Sequence, residues 1–326
     1  MMNSKRFNLN IRDIVPVVAF LIVLVFFTII SKGRTLAPYN IKLVLDQTII
    51  CIVAGCGSLF VVAQGSIDLS VGVTFALSGV VATFVSIISG IAWLFFPCAI
   101  VVGGLIGLFS GVVLSKFKVP SFMITVSLLI SLRGFVNYLQ SLFGVQVLPP
   151  QIAALNHPYI LYPAFAVVLA LLAYSFEFTK LGKYSKLIGE NETTAEYIGI
   201  PIVKMKIVVF VISGITAAIA AMISLIQQIG TSVTEGVFFE MKVCMAIFLG
   251  GVLVTGGSSA KIFKVIIGSF TITLITNGLA LIGQSSNQVT ESVEGVLLLL
   301  ILFVTVYLSE HYRGHKTNTD NEINKE

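Results

Sequence analysis

Charged and polar side chains inside long apolar stretches are the residues of this sequence that could do chemistry. Asp68 lies in the short polar stretch Gly65–Gly72, and Arg133 lies about halfway along an apolar run. A charged side chain in hydrocarbon costs about 2.5–3.5 kcal/mol on insertion scales, so each needs a partner or a polar path beside it. Ser70 and Asn277 are further polar residues in apolar surroundings. We treat these four residues as candidates for a translocation path.

Each charged residue also has a purely structural interpretation. Asp68 could cap a helix spanning Leu69–Ser89 by accepting its free backbone N–H groups, or it could lie at a polar break in a helix beside the path. The two roles are compatible. Arg133 could snorkel, or form an ion pair that fixes helix packing, with direct solute contact as the alternative. Asp68 is one candidate for its partner.

Motifs that are typical of enzymes are missing. The sequence has no G-x-x-x-x-G-K-[ST], no H-E-x-x-H and no G-x-S-x-G. The four cysteines lie in apolar runs without C-x-x-C spacing, and His311 and His315 have no third ligand nearby in the sequence. We therefore expect no catalytic residue, no metal site and no cofactor bound by this chain.

The composition excludes most soluble classes of protein. Of 326 residues, 56% are hydrophobic and only 11% are charged, with a mean hydropathy of +1.01. Soluble domains carry roughly 25% charged residues. A soluble enzyme, a nucleic-acid-binding protein and a disordered chain are therefore excluded, despite the net charge of +5. A polytopic membrane protein remains.

Apolar runs long enough to cross a bilayer recur along the chain. The sequence predicts an all-α bundle of about ten transmembrane helices, of which the eighth is short or broken because Val243–Val254 cannot span roughly 30 Å alone. The ten runs are Ile14–Ile30, Thr48–Ala63, Val71–Ser89, Ile91–Leu114, Phe122–Leu142, Ile160–Phe176, Ile207–Ile226, Val243–Val254, Val265–Ile282 and Gly295–Leu308.

Basic residues predict the orientation. With the N-terminus in the cytoplasm, cytoplasmic segments hold 15 of the 20 lysines and arginines, as the positive-inside rule requires. Both termini are then cytoplasmic, and the basic residues do not indicate binding to nucleic acid. The expected organisation is a cytoplasmic N-terminus at 1–13, a transmembrane domain at 14–309 with a cytoplasmic loop at 180–206, and a cytoplasmic tail at 310–326.

Small residues at helical spacing predict close helix packing. The cytoplasmic loop is expected to contain one short helix over Thr193–Ile200, capped by Asn191 or Thr193. The predicted packing glycines are Gly103, Gly107, Gly111, Gly250, Gly251, Gly256 and Gly257.

Three blocks in this order resemble the permease subunits of bacterial ABC importers of the ribose and simple-sugar type. The first block is Gly65–Gly72. The second runs from Gly182-Lys183 to Gly199-Ile200, and the third comprises Glu240-Met241 and the two glycine pairs that follow it. Arg133-Gly134 and Asn277-Gly278-Leu279 are lesser matches. The sequence departs from the family pattern at Ser66, Lys183, Thr194 and Lys242.

The resemblance implies a permease of about ten helices in the bacterial inner membrane, surrounded by lipid. It would pair with a second copy or a paralogue and receive a sugar or sugar-like solute from an extracytoplasmic binding protein. Two cytoplasmic ATPase subunits would use ATP and Mg, and this chain would not be an enzyme. Because the chain lacks a nucleotide motif, we expect its loop to contact the ATPase through Gly182, Gly189, Asn191, Glu192, Ala195, Gly199 and Ile200.

Two alternatives stay open at this point. A related permease type carries branched-chain amino acids, although Asp68-Leu69-Ser70 with Gly72 favours the sugar type. An ion-coupled secondary carrier would need an acid in the membrane that is free to titrate, and Asp68 is the plain candidate.

In the cytoplasmic loop, Gly189 is expected to form a tight turn, while Ala195 and Gly199 would present a small face to the partner.

Overall fold

The architecture is all-helical in the part of the chain that the structure describes. The structure is a computed structural model that describes residues 11–284, 289–293, 295–297, 299–300 and 303. Its helices, in chain order, are α1 (Ile11–Ile30), α2 (Pro38–Ala63), α3 (Val71–Ile88), α4 (Phe95–Phe117), α5 (Ser121–Phe143), α6 (Pro150–Ala153), α7 (Pro158–Glu177), α8 (Lys180–Glu190), α9 (Glu192–Tyr197), α10 (Ile202–Gln228), α11 (Phe239–Leu249) and α12 (Ile262–Leu281).

Eight helices in the described ranges are long and apolar enough to cross a membrane: α1 to α5, α7, α10 and α12. They correspond to eight of the ten predicted runs. The tenth run, Gly295–Leu308, lies mostly outside the described residues. The main difference in length concerns α2, which begins at Pro38, whereas the predicted run begins at Thr48. The first turns of α2 carry polar residues, so the hydropathy pattern did not include them.

The centre of the bundle is formed by α2, α3 and α10, with α4 packed against α10. In α2 and α3, 78% of the most apolar window is buried, against 11% in α1 and α7. Three of the predicted packing glycines lie in α4 against α10: a Cβ on Gly103 would overlap the Gly214 carbonyl, one on Gly107 would overlap the Phe210 carbonyl, and one on Gly111 would lie 2.8 Å from the Ile207 Cα. Backbone therefore meets backbone along this pair of helices.

Two segments without α-helix flank α11, and the second contains one turn of 3-10 helix at Gly257–Ser259. The α10–α11 segment (residues 229–238) begins at Ile229 and ends at Phe238, and both residues have left-handed φ angles, 60° and 57°. The α11–α12 turn (residues 250–261) contains Gly251 at φ 82° and Gly256 at φ 73°. Glycine tolerates this conformation because it has no Cβ.

The eighth predicted run is therefore misplaced. The helix is Phe239–Leu249, whereas the last residues of Val243–Val254 belong to the α11–α12 turn. Gly250 packs closely, since a Cβ there would overlap the Lys264 carbonyl, and Gly251 has the left-handed φ that the turn requires.

The predicted loop between α7 and α10 contains two helices. The α8–α9 unit (residues 180–197) packs on the adjacent ends of α2 and α7 and on the α11–α12 turn. The prediction of one short helix captured α9, and Asn191 is its N-cap, accepting a hydrogen bond of 2.8 Å from the Thr194 N–H. The prediction missed α8, whose charged residues alternate with a buried face of Gly182, Ser185 and Ile188.

Candidate functional site

A polar cavity lies at the end of the bundle that is distant from the α8–α9 unit. It has a volume of about 410 Å³ and lies where α10 ends, between α2, α3 and the α10–α11 segment. Glu235 lines it and is only 5% exposed, and its Oε1 accepts a hydrogen bond of 3.2 Å from the Ser224 hydroxyl. The other polar residues of the lining are Gln47, Gln228, Ser232, Thr234, Lys242, Thr290 and Glu291.

Arg133 holds the α10–α11 segment through its backbone. Its two guanidinium nitrogens donate to the carbonyl oxygens of Glu235 at 2.7 Å and Gly236 at 2.6 Å. This fork suits the planar guanidinium. The prediction that Arg133 fixes packing therefore gains a specific geometry, but the suggested partner was wrong, because Arg133 binds these carbonyls and not Asp68.

Asp68 has hydrogen-bond partners on both oxygens. Its Oδ1 accepts from the Ser70 N–H at 2.9 Å and from the Ser70 hydroxyl at 2.6 Å, while its Oδ2 accepts from the Ser213 hydroxyl at 2.8 Å. The predicted capping role is wrong in detail, because helix α3 begins at Val71 and its N-cap position is Ser70, without a side-chain cap. Asp68 instead ties the segment between α2 and α3 to α10.

Asn277 pairs with Asn40 across the bundle. The two side-chain amides exchange hydrogen bonds of 3.0 Å in both directions, and both residues are buried. This pair joins α12 to the first turn of α2, and it accounts for the presence of the polar residue Asn40 in that turn. Asp68, Arg133 and Asn277 thus have separate partners, and none of them lines the cavity.

Sequence reasoning missed the residues that do line the cavity. Glu235 and Lys242 lie on either side of the start of α11, in the stretch that the hydropathy pattern treated as a connection. The available signal was an acid and a base flanking Phe238-Phe239, together with the polar end of α10 at Gln228. These groups come together only in the folded structure, where they line one cavity.

The α8–α9 unit contains most of the residues predicted to contact a partner, and several of them face inward. Ala195 and Ile200 are buried in a cluster with Ile188 and Met205, so the prediction that Ala195 presents a small outer face is wrong. Gly189 lies within α8 rather than in a turn; a Cβ there would overlap the Ala63 carbonyl and lie 2.6 Å from the Gly257 nitrogen.

The remaining members of that set have other surroundings. Gly182 packs against the Phe176 carbonyl. Glu192 forms an ion pair of 2.7 Å with Lys206. Gly199 has φ 84° and no atom within 4 Å of a hypothetical Cβ, so it serves the turn after α9. Sequence spacing identified this segment correctly, but it could not show which face was internal.

Four apolar side chains are exposed on the α8–α9 unit or shortly after it. Tyr197 is 87% exposed and Ile198 is 64% exposed, and Leu187 and Val203 are exposed as well. We call these four residues the apolar tip. Elsewhere in the unit the exposed residues are mainly charged, as Lys183 and Glu196 are.

Within the described ranges, no group of three His, Cys, Asp or Glu side chains is placed to hold a metal. The four cysteines are free thiols, and all but Cys98 are buried. The helices and the cavity together define a polytopic, all-α membrane protein with polar space at one end.

Comparison with known proteins gives the family. Residues 40–305 match the family described as the branched-chain amino acid transport system permease component, and the chain belongs to this family. The ribose import permease of Haemophilus influenzae is 28% identical over 97% of this chain and 99% of its own length. The ribose import permease of Escherichia coli K12 is 30% identical over 86% and 90%.

Other similar proteins carry related names. The L-arabinose ABC transporter permease of Azospirillum brasilense is 30% identical over 82% of this chain and 80% of its own length. A solved structure of an inward-facing, metal-chelate type ABC transporter is 16% identical, with a TM-score of 0.47, over 88% and 99% of the two chains. The family assignment made from the three motif blocks is confirmed, and the chain is a transport component.

Proposed function

We propose that this chain is the membrane-spanning subunit of an ABC importer for a sugar or sugar-like solute. The observation that carries the proposal is the match to the Haemophilus influenzae ribose import permease over 97% of this chain and 99% of that protein. Further similar proteins are named as permeases for arabinose, xylose, fructose and allose. These names favour a sugar over an amino acid, although the family description mentions amino acids.

The geometry favours an externally driven permease over an ion-coupled carrier. A carrier of that kind needs a membrane acid that exchanges protons with the solution. Asp68 is buried, and both of its oxygens accept hydrogen bonds from Ser70 and Ser213. Its side chain is therefore suited to holding α10 against the segment before α3.

A second copy of the chain would cover the exposed face of α5. Helix α5 is only 17% buried in its most apolar window, and among large exposed side chains such as Met123, Ile130 and Tyr138 it exposes five small or polar residues. Small and hydroxyl-bearing residues are costly against lipid and are typical of helix–helix contacts or of a water-filled path. We propose that two copies face each other here, with the solute passing between them. The five residues are Ser127, Ser131, Gly134, Asn137 and Ser141.

The apolar tip of the α8–α9 unit is the proposed contact with the ATPase. Exposed Tyr197 and Ile198 offer an apolar anchor of the kind that carries most of the binding energy at interfaces. The partner ATPase would bind ATP and Mg, since this sequence has no nucleotide-binding motif. Transport would begin with solute delivered by a binding protein on the opposite side.

The proposed orientation follows from the basic residues and from this docking site. The α8–α9 unit faces the cytoplasm of a bacterium, and both termini, residues 1–13 and 310–326, lie on the same side. The cavity beside Glu235 then opens toward the outside of the inner membrane, where the binding protein would bind.

The test uses the complete importer in proteoliposomes, with its ATPase and binding protein. We expect ATP-driven uptake of ribose or a related sugar that requires the binding protein. Changing Tyr197→Ser together with Ile198→Ser should lower the amount of ATPase that co-purifies with the permease by about tenfold, because the apolar anchor is lost. Uptake should fall in parallel.

Lys204→Ala is the matched control, because Lys204 is also exposed near this unit but is not part of the apolar tip. It should retain the ATPase and the uptake rate. If the double variant binds the ATPase and transports normally, the tip is not the docking site. If the intact importer transports no sugar while an amino acid is taken up, the assigned solute class is wrong.

A further inference from the structure

Helix α11 is a short element that joins the two ends of the bundle. It has 11 residues, so at 1.5 Å per residue it spans about 16 Å, roughly half of the apolar core of a bilayer. The segments 229–238 and 250–261 cover the remaining thickness of the apolar core on the two sides of α11. Neither segment contains α-helix, and α11 is interlocked with α12, since a Cβ on Gly268 would overlap the Ala246 carbonyl and one on Gly250 the Lys264 carbonyl. The two helices would therefore shift together if the turn that joins them is moved.

The turn that joins α11 to α12 is held by the α8–α9 unit. The Oε1 atom of Glu190 accepts hydrogen bonds from the Ser258 N–H at 2.7 Å and the Ser258 hydroxyl at 2.5 Å. Next to it, Gly189 approaches the Gly257 nitrogen so closely that a Cβ would lie 2.6 Å away. The last residue of α8 therefore forms direct hydrogen bonds to the α11–α12 turn.

The other end of α11 forms the wall of the cavity. Glu235 and Lys242 both line the cavity, and they flank the first turn of the helix. Gly236 packs on α3, where a Cβ would overlap the Gly72 carbonyl, and Arg133 holds the carbonyls of residues 235 and 236. A displacement of α11 must therefore move groups that line the cavity.

The other helices that contact the α8–α9 unit are less free to move. Helix α2 contacts Gly189 through the Ala63 carbonyl, but it is continuous for 26 residues and packs along α10. Helix α10 is in turn interlocked with α4 through Gly103 and Gly214. Among the segments that the α8–α9 unit contacts, the α11–α12 turn lies outside the α-helices, and it leads through α11 to the cavity.

We propose that α11 transmits movement of the α8–α9 unit to the cavity wall and that Glu190 is the positioning residue for this step. The inference rests on the proposed function, in which an ATPase moves the α8–α9 unit. Glu190 neither contacts solute nor lines the cavity. It acts through Ser258, keeping the α11–α12 turn attached to α8 when α8 is displaced.

The test compares Glu190→Ala with Glu190→Gln in the reconstituted importer. The amide oxygen of glutamine can still accept both hydrogen bonds from Ser258, whereas alanine can accept neither. We expect Glu190→Ala to retain the bound ATPase and its ATP hydrolysis within about twofold, while solute imported per ATP falls by about tenfold, the loss expected for a charge-assisted hydrogen bond. Glu190→Gln should stay near the parent protein.

A second readout does not depend on the solute. Thr234, an exposed residue of the cavity lining, is changed to cysteine, and its labelling by a membrane-impermeant maleimide is measured with and without ATP and vanadate. The parent chain without Thr234→Cys gives the background from the native cysteines. Trapping nucleotide should change the labelling rate when residue 190 is Glu or Gln and leave it unchanged when residue 190 is Ala.

The results separate this inference from the proposed function. An unchanged nucleotide response and unchanged import per ATP in Glu190→Ala would overturn the role of Glu190. Loss of the ATPase from that variant would also overturn it, because Glu190 would then belong to the docking surface. If the importer takes up no sugar but the labelling response depends on residue 190 as expected, the solute assignment fails and the transmission step stands.

Discussion

The α4–α10 pair and the segments that flank α11 are held together in different ways. Along α4 and α10, glycines bring the two backbones into contact, so that packing fixes their relation. Helix α11 packs on α12 in the same way, through Gly250 and Gly268. Its flanking segments also depend on side-chain hydrogen bonds, with Arg133 on one side and Glu190 on the other. Each of these hydrogen bonds can be removed without changing the packing of α4 on α10.

The comparison separates helices that are fixed by backbone packing from segments that also depend on side-chain hydrogen bonds. Close-packed interiors respond to strain as rigid bodies. Segments held by a few side-chain hydrogen bonds open at a lower free energy than continuous helices do. The non-helical segments around α11 have that character, as does the segment 64–70, which Asp68 ties to α10. Three substitutions of decreasing effect test this division.

The largest effect is expected from Gly103→Ala. The added Cβ would overlap the Gly214 carbonyl, which belongs to the backbone and cannot rotate away, so we expect a loss of about 3 kcal/mol or more in the free energy of unfolding. Gly104→Ala is the matched control, because its Cβ would lie 3.6 Å from the flexible Ile215 side chain. Thermal unfolding in detergent measures both. Equal midpoints for the two variants would contradict the fixed-pair interpretation.

An intermediate effect is expected from Asp68→Leu. Leucine leaves the buried Ser70 and Ser213 groups without their acceptor, which should cost about 2 kcal/mol. Asp68→Asn should cost less than about 1 kcal/mol, since its oxygen can accept from Ser70 and its NH₂ can donate to the Ser213 hydroxyl. The same unfolding assay measures both variants. Asparagine as damaging as leucine would show that the charge itself is needed.

The smallest effect is expected at the Asn40–Asn277 pair. Amide pairs between membrane helices contribute on average about 0.6 kcal/mol in double-mutant cycles. We expect Asn277→Ala to lower the free energy of unfolding by about 1 kcal/mol. In the double variant, Asn40→Ala should add only the loss of the Asn40 hydrogen bond to the Thr35 carbonyl, because the bonds between the two amides are already gone. Fully additive losses would show that each asparagine acts through other partners.

The sequence supported prediction of the elements better than prediction of their contacts. Apolar runs located eight spans because burial in lipid imposes length and hydropathy on each helix separately. The start of α2 was missed because Asn40 is buried against Asn277, a partner 237 positions away. Polarity in the sequence could not reveal that this position lies inside a helix.

The candidate site was predicted less well, for a related reason. The segment 180–206 was recognised from its charge and spacing, but a glycine or alanine looks the same in sequence whether it faces a partner or the core. Gly189 and Ala195 both proved internal. Glu235 was overlooked because its significance depends on the cavity that α2, α3 and α10 form around it. Such relations arise from tertiary packing, which local patterns do not encode.

The interlock of α4 and α10 has a consequence for recombining permeases of this family. Gly103, Gly107 and Gly111 of α4 each fit against the backbone of α10, so the two helices form a single matched surface even though the α5–α9 region separates them in the chain. A crossover placed between them would combine an α4 and an α10 from different parents. A larger side chain at one of these contact positions in either helix would then overlap the backbone of the other helix. Chimeric importers should therefore inherit both helices from one parent, whatever the source of the remaining spans.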